Sequence, residues 1–102
     1  MEIEKLAKAL KALSNPNRLK IYLEIAASRE RSFSADCEIC GCPISKIMET
    51  LNIGAPTVSH HLKELVNAGL IMTERQGKFV IARINETVVA DVNRALNLEG
   101  AP

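Results

Sequence analysis

The sequence predicts a mainly α-helical fold closed by one small β-hairpin. Three observations predict it. Apolar side chains recur at helical spacing in five separate segments. Asn52 ends the third segment and Pro56 opens the fourth, so two short helices meet across a tight turn. Beyond Gly69 the pattern changes, and residues 70–75 and 78–84 read as short strands joined by Gln76-Gly77. Helix, turn, helix and hairpin in that order make a winged helix-turn-helix, with about five helices plus a two-stranded wing. The 102 residues suit one domain spanning residues 1–102.

Each element has a local reason. Residues 2–13 carry Ile3, Leu6, Ala7, Leu10 and Leu13 on one stripe, with Lys5, Lys8 and Lys11 off it. Ser14-Asn15-Pro16 breaks that helix; Asn15 can cap the next one, with Pro16 at its first position. Residues 16–28 read as a more buried helix through Leu19, Ile21, Tyr22, Leu23 and Ile25. Residues 29–42 lack periodicity and read as a loop. Pro43 restarts order, and Ile44, Ile47, Met48 and Leu51 mark a short third helix. Val58, Leu62 and Leu65 give the buried face of the fourth, so the helix-turn-helix spans 43–68 and the wing 70–84. Val88, Val89, Val92 and Leu96 mark a last helix over 85–97, and 100–102 read as a frayed tail.

Composition narrows the function. The chain is 47% hydrophobic but 3% aromatic, so its core is built from aliphatic side chains. At this length a core is modest, and dimerisation would supplement it. No apolar run approaches the ~18 residues that span a bilayer, and the charged start Met-Glu-Ile-Glu-Lys is not a signal peptide. An odd number of cysteines without an export signal points to a reducing, cytoplasmic setting. Net charge is only +1, yet residues 55–83 hold four Lys/Arg against two Asp/Glu. Phosphate binding needs such local positive charge, not a high global one.

A recognition helix needs one apolar stripe to seat it and polar or basic side chains opposite to reach base edges. Val58, Leu62 and Leu65 supply the stripe; Thr57, Ser59, His60, His61 and Lys63 supply the polar surface. Ser, Thr and His can donate to bases or phosphates, and Lys63 suits phosphate. Arg75 and Lys78 flank the hairpin tip, where a wing could reach the adjacent groove or backbone. The bland alternative is a helical hairpin used for protein contacts. His60 and His61 could instead be metal ligands, but adjacent residues point about 100° apart on a helix and would not chelate together.

Two stretches carry a resemblance. Leu13-Ser14-Asn15-Pro16-Asn17-Arg18-Leu19-Lys20-Ile21 resembles the opening motif of the ArsR/SmtB family of metal-responsive repressors. Pro56-Thr57-Val58-Ser59-His60-His61-Leu62-Lys63-Glu64-Leu65, then Ala68-Gly69-Leu70-Ile71, resembles that family's recognition helix, and Arg75-Gln76-Gly77-Lys78-Phe79-Val80 its wing. The match runs over about residues 3–97. It implies a homodimer, with helices 1–13 and 85–97 packed across a two-fold axis. It also implies a double-stranded, pseudo-palindromic operator and release on binding an inducer. Ile3, Leu6, Leu10, Val88, Val92 and Leu96 are independently hard to bury in one chain of this size.

Cys37, Cys40 and Cys42 fall within six residues, just before the helix-turn-helix. Family members that sense arsenite often carry Cys-x-Cys inside the third helix, on positions that are Pro43 and Ser45 here, so those ligand positions do not transfer. The family's zinc site on the last helix needs histidines, which 85–97 lacks. Were Pro43 the first helical residue, Cys42 would be its N-cap, where a thiolate is favoured. Three thiolates would form a soft donor set for arsenite, antimonite or a soft divalent ion as cofactor. A closed zinc site would need a fourth ligand, such as Asp36, Glu38 or a second subunit. Cys37 and Cys40 also permit a redox disulfide, and the cluster could be structural. An ion drawing the cysteines together would pull on helix 43–51 and shift the recognition helix, a coupling typically worth ~1–3 kcal/mol. An enzyme finds little support: there is no glycine-rich phosphate loop and no metal-activating His/Glu set.

Overall fold

The computed structural model describes residues 1–31 and 42–97. Five helices, α1 (Ile3–Leu13), α2 (Pro16–Arg31), α3 (Ile44–Leu51), α4 (Ala55–Asn67) and α5 (Glu86–Leu96), surround a small antiparallel sheet. Its strands are β1 (Cys42–Pro43), β2 (Ile71–Gln76) and β3 (Phe79–Ile84), in the order β1-β3-β2.

The breaks between helices follow from single residues. The Asn15 side-chain Oδ1 accepts from the backbone N–H of Asn17 at 2.9 Å and of Arg18 at 3.1 Å, and Pro16 occupies the first helical position, which needs no donor. Asn52 closes α3 in the left-handed conformation, φ 53 and ψ 49. α4 ends in a Schellman motif. The Leu70 N–H donates to the Leu65 carbonyl at 3.1 Å, and the Gly69 N–H to the Val66 carbonyl at 2.9 Å, with Gly69 at φ 78. Asn85 caps α5, its Oδ1 accepting from the Val88 N–H at 3.4 Å.

One face of each helix meets a common core. It holds Ala9 and Ala12 of α1, Ile21 and Ile25 of α2, Ile47 of α3, Val58, Leu62 and Leu65 of α4, and Val92 of α5. Cys42, Ile71, Ala82 and Ile84 add the sheet.

Several expectations are corrected. α2 runs to Arg31 rather than residue 28, and its buried stripe is Ile21, Ile25 and Ser28. Leu19 and Leu23 lie off that stripe and are 37% and 55% exposed. The sheet has a third strand, β1, at the end of the segment read as a loop; Cys42 pairs with Ala82 and Pro43 with Ile81. Pro43, not Cys42, is the N-cap of α3. β2 extends to Gln76, which pairs with Phe79, so Gly77 and Lys78 form the turn. Gly77 has φ 62 at the first turn position, where a primed hairpin turn favours glycine. Of the terminal apolar side chains expected to be hard to bury in one chain, Val92 departs from the expectation and is buried, whereas Ile3 and Leu10 stay exposed at 82% and 42% as expected.

Candidate nucleic-acid interface

The placement of α4 begins with its buried stripe. Val58, His61, Leu62 and Leu65 recur at i, i+3, i+4 and i+7, and all four are buried. Turning by about 100° per residue, Ser59, His60 and Lys63 fall on the opposite side and are exposed. Thr57 is also exposed, on the flank it shares with Glu64. Thr57, Ser59 and His60 occupy the N-terminal half of the helix, the end that a helix-turn-helix presents to base edges.

His61 is the exception among the five polar residues assigned to this surface. It is 7% exposed and sits in the apolar stripe. Its Nδ1 accepts from the Arg18 Nε at 3.3 Å, and the Arg18 Nη1 donates to the Ala12 carbonyl at 3.2 Å. One guanidinium thus joins the end of α1, the first turn of α2 and the buried side of α4. Burial, the Arg18 charge and the neighbouring His60 all hold the His61 pKa below its ordinary value. A neutral ring suits this place, because a protonated one has no acceptor for Arg18. His61 therefore lies in the buried seat of the helix, not on the outward surface where the sequence reading placed it. The spacing 58, 61, 62, 65 was the signal for this in the sequence.

The wing presents its cations at the tip. Arg75 and Lys78 are exposed, and the Lys78 Nζ lies 5.7 Å from the centroid of the Phe79 ring. Glu74, the acidic residue between them and the core, is engaged elsewhere. It pairs with Arg83 across the β2–β3 ladder and accepts from the Gln76 Nε2 at 2.8 Å. Among the described residues neither Arg75 nor Lys78 has an ion-pair partner. The exposed side of α4 and the wing tip therefore offer hydroxyls, one imidazole and three cations (Lys63, Arg75 and Lys78) to a polyanion.

Cys37 and Cys40 lie outside the described residues. Cys42, read from the sequence as a possible N-cap, is instead fully buried in β1, and its Sγ lies 3.8 Å from the Pro43 carbonyl oxygen. Apolar surroundings disfavour a thiolate. Among the described residues no group of three His, Cys, Asp or Glu side chains is placed to hold a metal, and no helix is long and apolar enough to cross a membrane.

Comparison with known proteins agrees with this geometry. Residues 42–73, from β1 into β2, match the model of a family described as bacterial regulatory proteins, arsR family. The transcriptional repressor SdpR of Bacillus subtilis is 34% identical over 88 residues, covering 85% of this chain and 84% of that protein. An arsenical resistance operon repressor of Staphylococcus xylosus is 29% identical over 98 residues, covering 96% of this chain and 83% of the repressor. Among solved structures, the homodimeric winged helix-turn-helix DNA-binding domain of a Mycobacterium bovis protein superposes with a TM-score of 0.69 at 22% identity, over 95% of this chain and 80% of that one. The fold is thus a winged helix-turn-helix, with a three-stranded sheet where two strands were expected. With a helix-turn-helix and wing so assembled, and relatives of this similarity along nearly its whole length, the chain belongs to the arsR family of bacterial regulatory proteins and is a transcriptional repressor rather than an enzyme.

Proposed function

We propose that this repressor binds double-stranded operator DNA as a homodimer and leaves it when a thiol-directed signal arrives. The observation that carries the DNA reading is the two-sided character of α4. Its apolar stripe is sunk in the core, while Ser59, His60 and Lys63 face outward, with Thr57 on the flank. Ser59 and His60 reach base edges; Lys63, Arg75 and Lys78 neutralise phosphates. The dimer reading is supported by the exposed Ile3 and Leu10 on α1 and by the homodimeric state of the M. bovis neighbour. In it α1 and α5 pack across the two-fold axis, so both copies of α4 meet one pseudo-palindromic site. A cytoplasmic location follows from that role.

The inducer reading rests on the density of Cys37, Cys40 and Cys42. A thiophilic ion such as arsenite, bound by these thiols, is the signal proposed. A relative named for arsenical resistance supports that chemistry. Cys42 constrains it. In the folded chain its thiol is closed to an ion, and recruiting it means lifting β1 off β3. Ion binding by all three thiols is then coupled to the sheet that carries the wing. The burial of Cys42 also favours a second reading, in which Cys42 is structural and Cys37 and Cys40 close a redox disulfide.

A titration of the reduced protein on its promoter duplex separates these readings. Arsenite, antimonite, cadmium, zinc and a mild oxidant are added in turn, with free thiols and DNA release followed together. Loss of three thiols and release with a soft ion supports the metalloregulator. Loss of two thiols and release with oxidant alone supports the redox repressor. Release that persists in a Cys37→Ser/Cys40→Ser variant contradicts both.

A further inference from the structure

A cleft of about 210 Å³ opens between α1, the first turn of α2 and the C-terminal half of α4. Lys8, Lys11 and Arg18 line it on one side, and Glu64 and Asn67 on the other. Three cations against the one carboxylate of Glu64 leave the cleft an excess of two positive charges. Arg18 is held in place. Its bonds to His61 and to the Ala12 carbonyl use two of its five N–H donors and leave three for a ligand. Lys8 and Lys11 stand three residues apart on one flank of α1, where like charges repel unless an anion lies between them.

We propose that this cleft is an oxyanion site that takes a phosphate group. Arg18 supplies the planar fork that matches phosphate oxygens, and Lys8 and Lys11 supply two point charges from α1. The size fits that ligand. Pockets for organic effectors run to roughly 300–1,000 Å³, whereas the cleft's 210 Å³ is room for a phosphate and a few waters. The site stays open in a dimer built on Ile3 and Leu10. At about 100° per residue, Lys8 and Lys11 lie roughly 160° and 100° around α1 from Leu10. Occupancy also bears on DNA binding, because Glu64 and Asn67 belong to α4 and Arg18 bonds to the ring that seats it. The phosphate has two sources: the backbone of a bound duplex, or free phosphate in solution. Only the duplex source rests on the DNA reading above.

The test uses the full reduced chain and a Lys8→Gln/Lys11→Gln variant. Inorganic phosphate is titrated at constant ionic strength, with chloride as control, and backbone amide resonances are followed. The expected result is saturable shifts confined to residues 8–18 and 64–68, with the variant binding about tenfold more weakly. In a second arm both proteins bind a promoter duplex over a salt series. A backbone source predicts weaker duplex binding by the variant and a salt slope smaller by about 0.9 for each phosphate left unneutralised. A free-phosphate source predicts an unchanged slope, with added phosphate altering duplex affinity in the parent chain and not in the variant. Shifts elsewhere, or shifts undiminished in the variant, overturn the site. So does a phosphate response no greater than chloride's, combined with unchanged duplex binding. A chain that binds phosphate in the cleft but no duplex sinks the DNA reading and leaves the oxyanion site standing.

Discussion

The two adjacent histidines of α4 make opposite predictions, and the contrast tests how the helix is seated. His61 is 7% exposed and accepts from Arg18, whereas His60 is exposed. Replacing His61 by Ala removes a buried ring and leaves the Arg18 Nε–H without its acceptor. An orphaned buried donor costs about 1–3 kcal/mol. Arg18 is only half-buried, so water re-solvates part of it and the lower part of that range applies. With the cavity left by the ring, the total is about 2 kcal/mol. For a domain of this size that lowers Tm by about 8–16 °C. His60→Ala touches only the surface, and its stability stays within about 0.5 kcal/mol of the parent. Urea unfolding at fixed protein concentration, followed by circular dichroism, measures both variants. Equal midpoints for His61→Ala and the parent, or a larger loss in His60→Ala, would refute the assignment of which ring is buried.

Further predictions follow from the same packing. His61 resists protonation in the folded chain, whereas the unfolded chain takes its proton near pH 6.5. Stability from this group is therefore full above that pH and falls as pH drops below it, and His61→Ala flattens that fall in a urea series across pH. Cys42→Ser puts a hydroxyl at a site with no exposure and costs about 1–3 kcal/mol; native Cys42 reacts with a thiol label far more slowly than it does in urea. Gly69→Ala meets no steric obstacle, since the nearest atom is Val88 Cγ2 at 3.9 Å, but φ 78 is strained for alanine. It costs about 1–2 kcal/mol, read as a lower Tm.

How much of this was legible in the sequence varies by element. The helix-turn-helix was, because Asn52, Pro56 and Gly69 each mark a break that few other residues would make. β1 was not. Two residues carry no periodicity, and Cys42-Pro43 pairs with β3 only because the chain has folded α3 and the hairpin against it. The same pairing buries Cys42 and moves the start of α3 to Ile44. Leu19 and Leu23 misled through composition: apolar side chains on α2 suggested burial, but the i, i+4, i+7 stripe is Ile21, Ile25 and Ser28. His61 misled in the opposite sense, as a polar residue at an apolar position. Only its bond to Arg18, 43 residues earlier in the chain, explains how it is accommodated.

In the function proposed above, the outward side of α4 reads DNA while the wing grips the backbone. The direct measurement is fluorescence anisotropy of a labelled promoter duplex, bound over a salt series by the parent chain and by two double variants, with a scrambled duplex as competitor. Ser59→Ala/His60→Ala is predicted to lose preference for the promoter while keeping its salt slope. Arg75→Ala/Lys78→Ala is predicted to bind every duplex more weakly, with a slope reduced by about 0.9 for each phosphate the wing no longer neutralises. Parent and variants that bind alike, or a parent whose affinity ignores salt, would mean that α4 and the wing are not the DNA-binding surface.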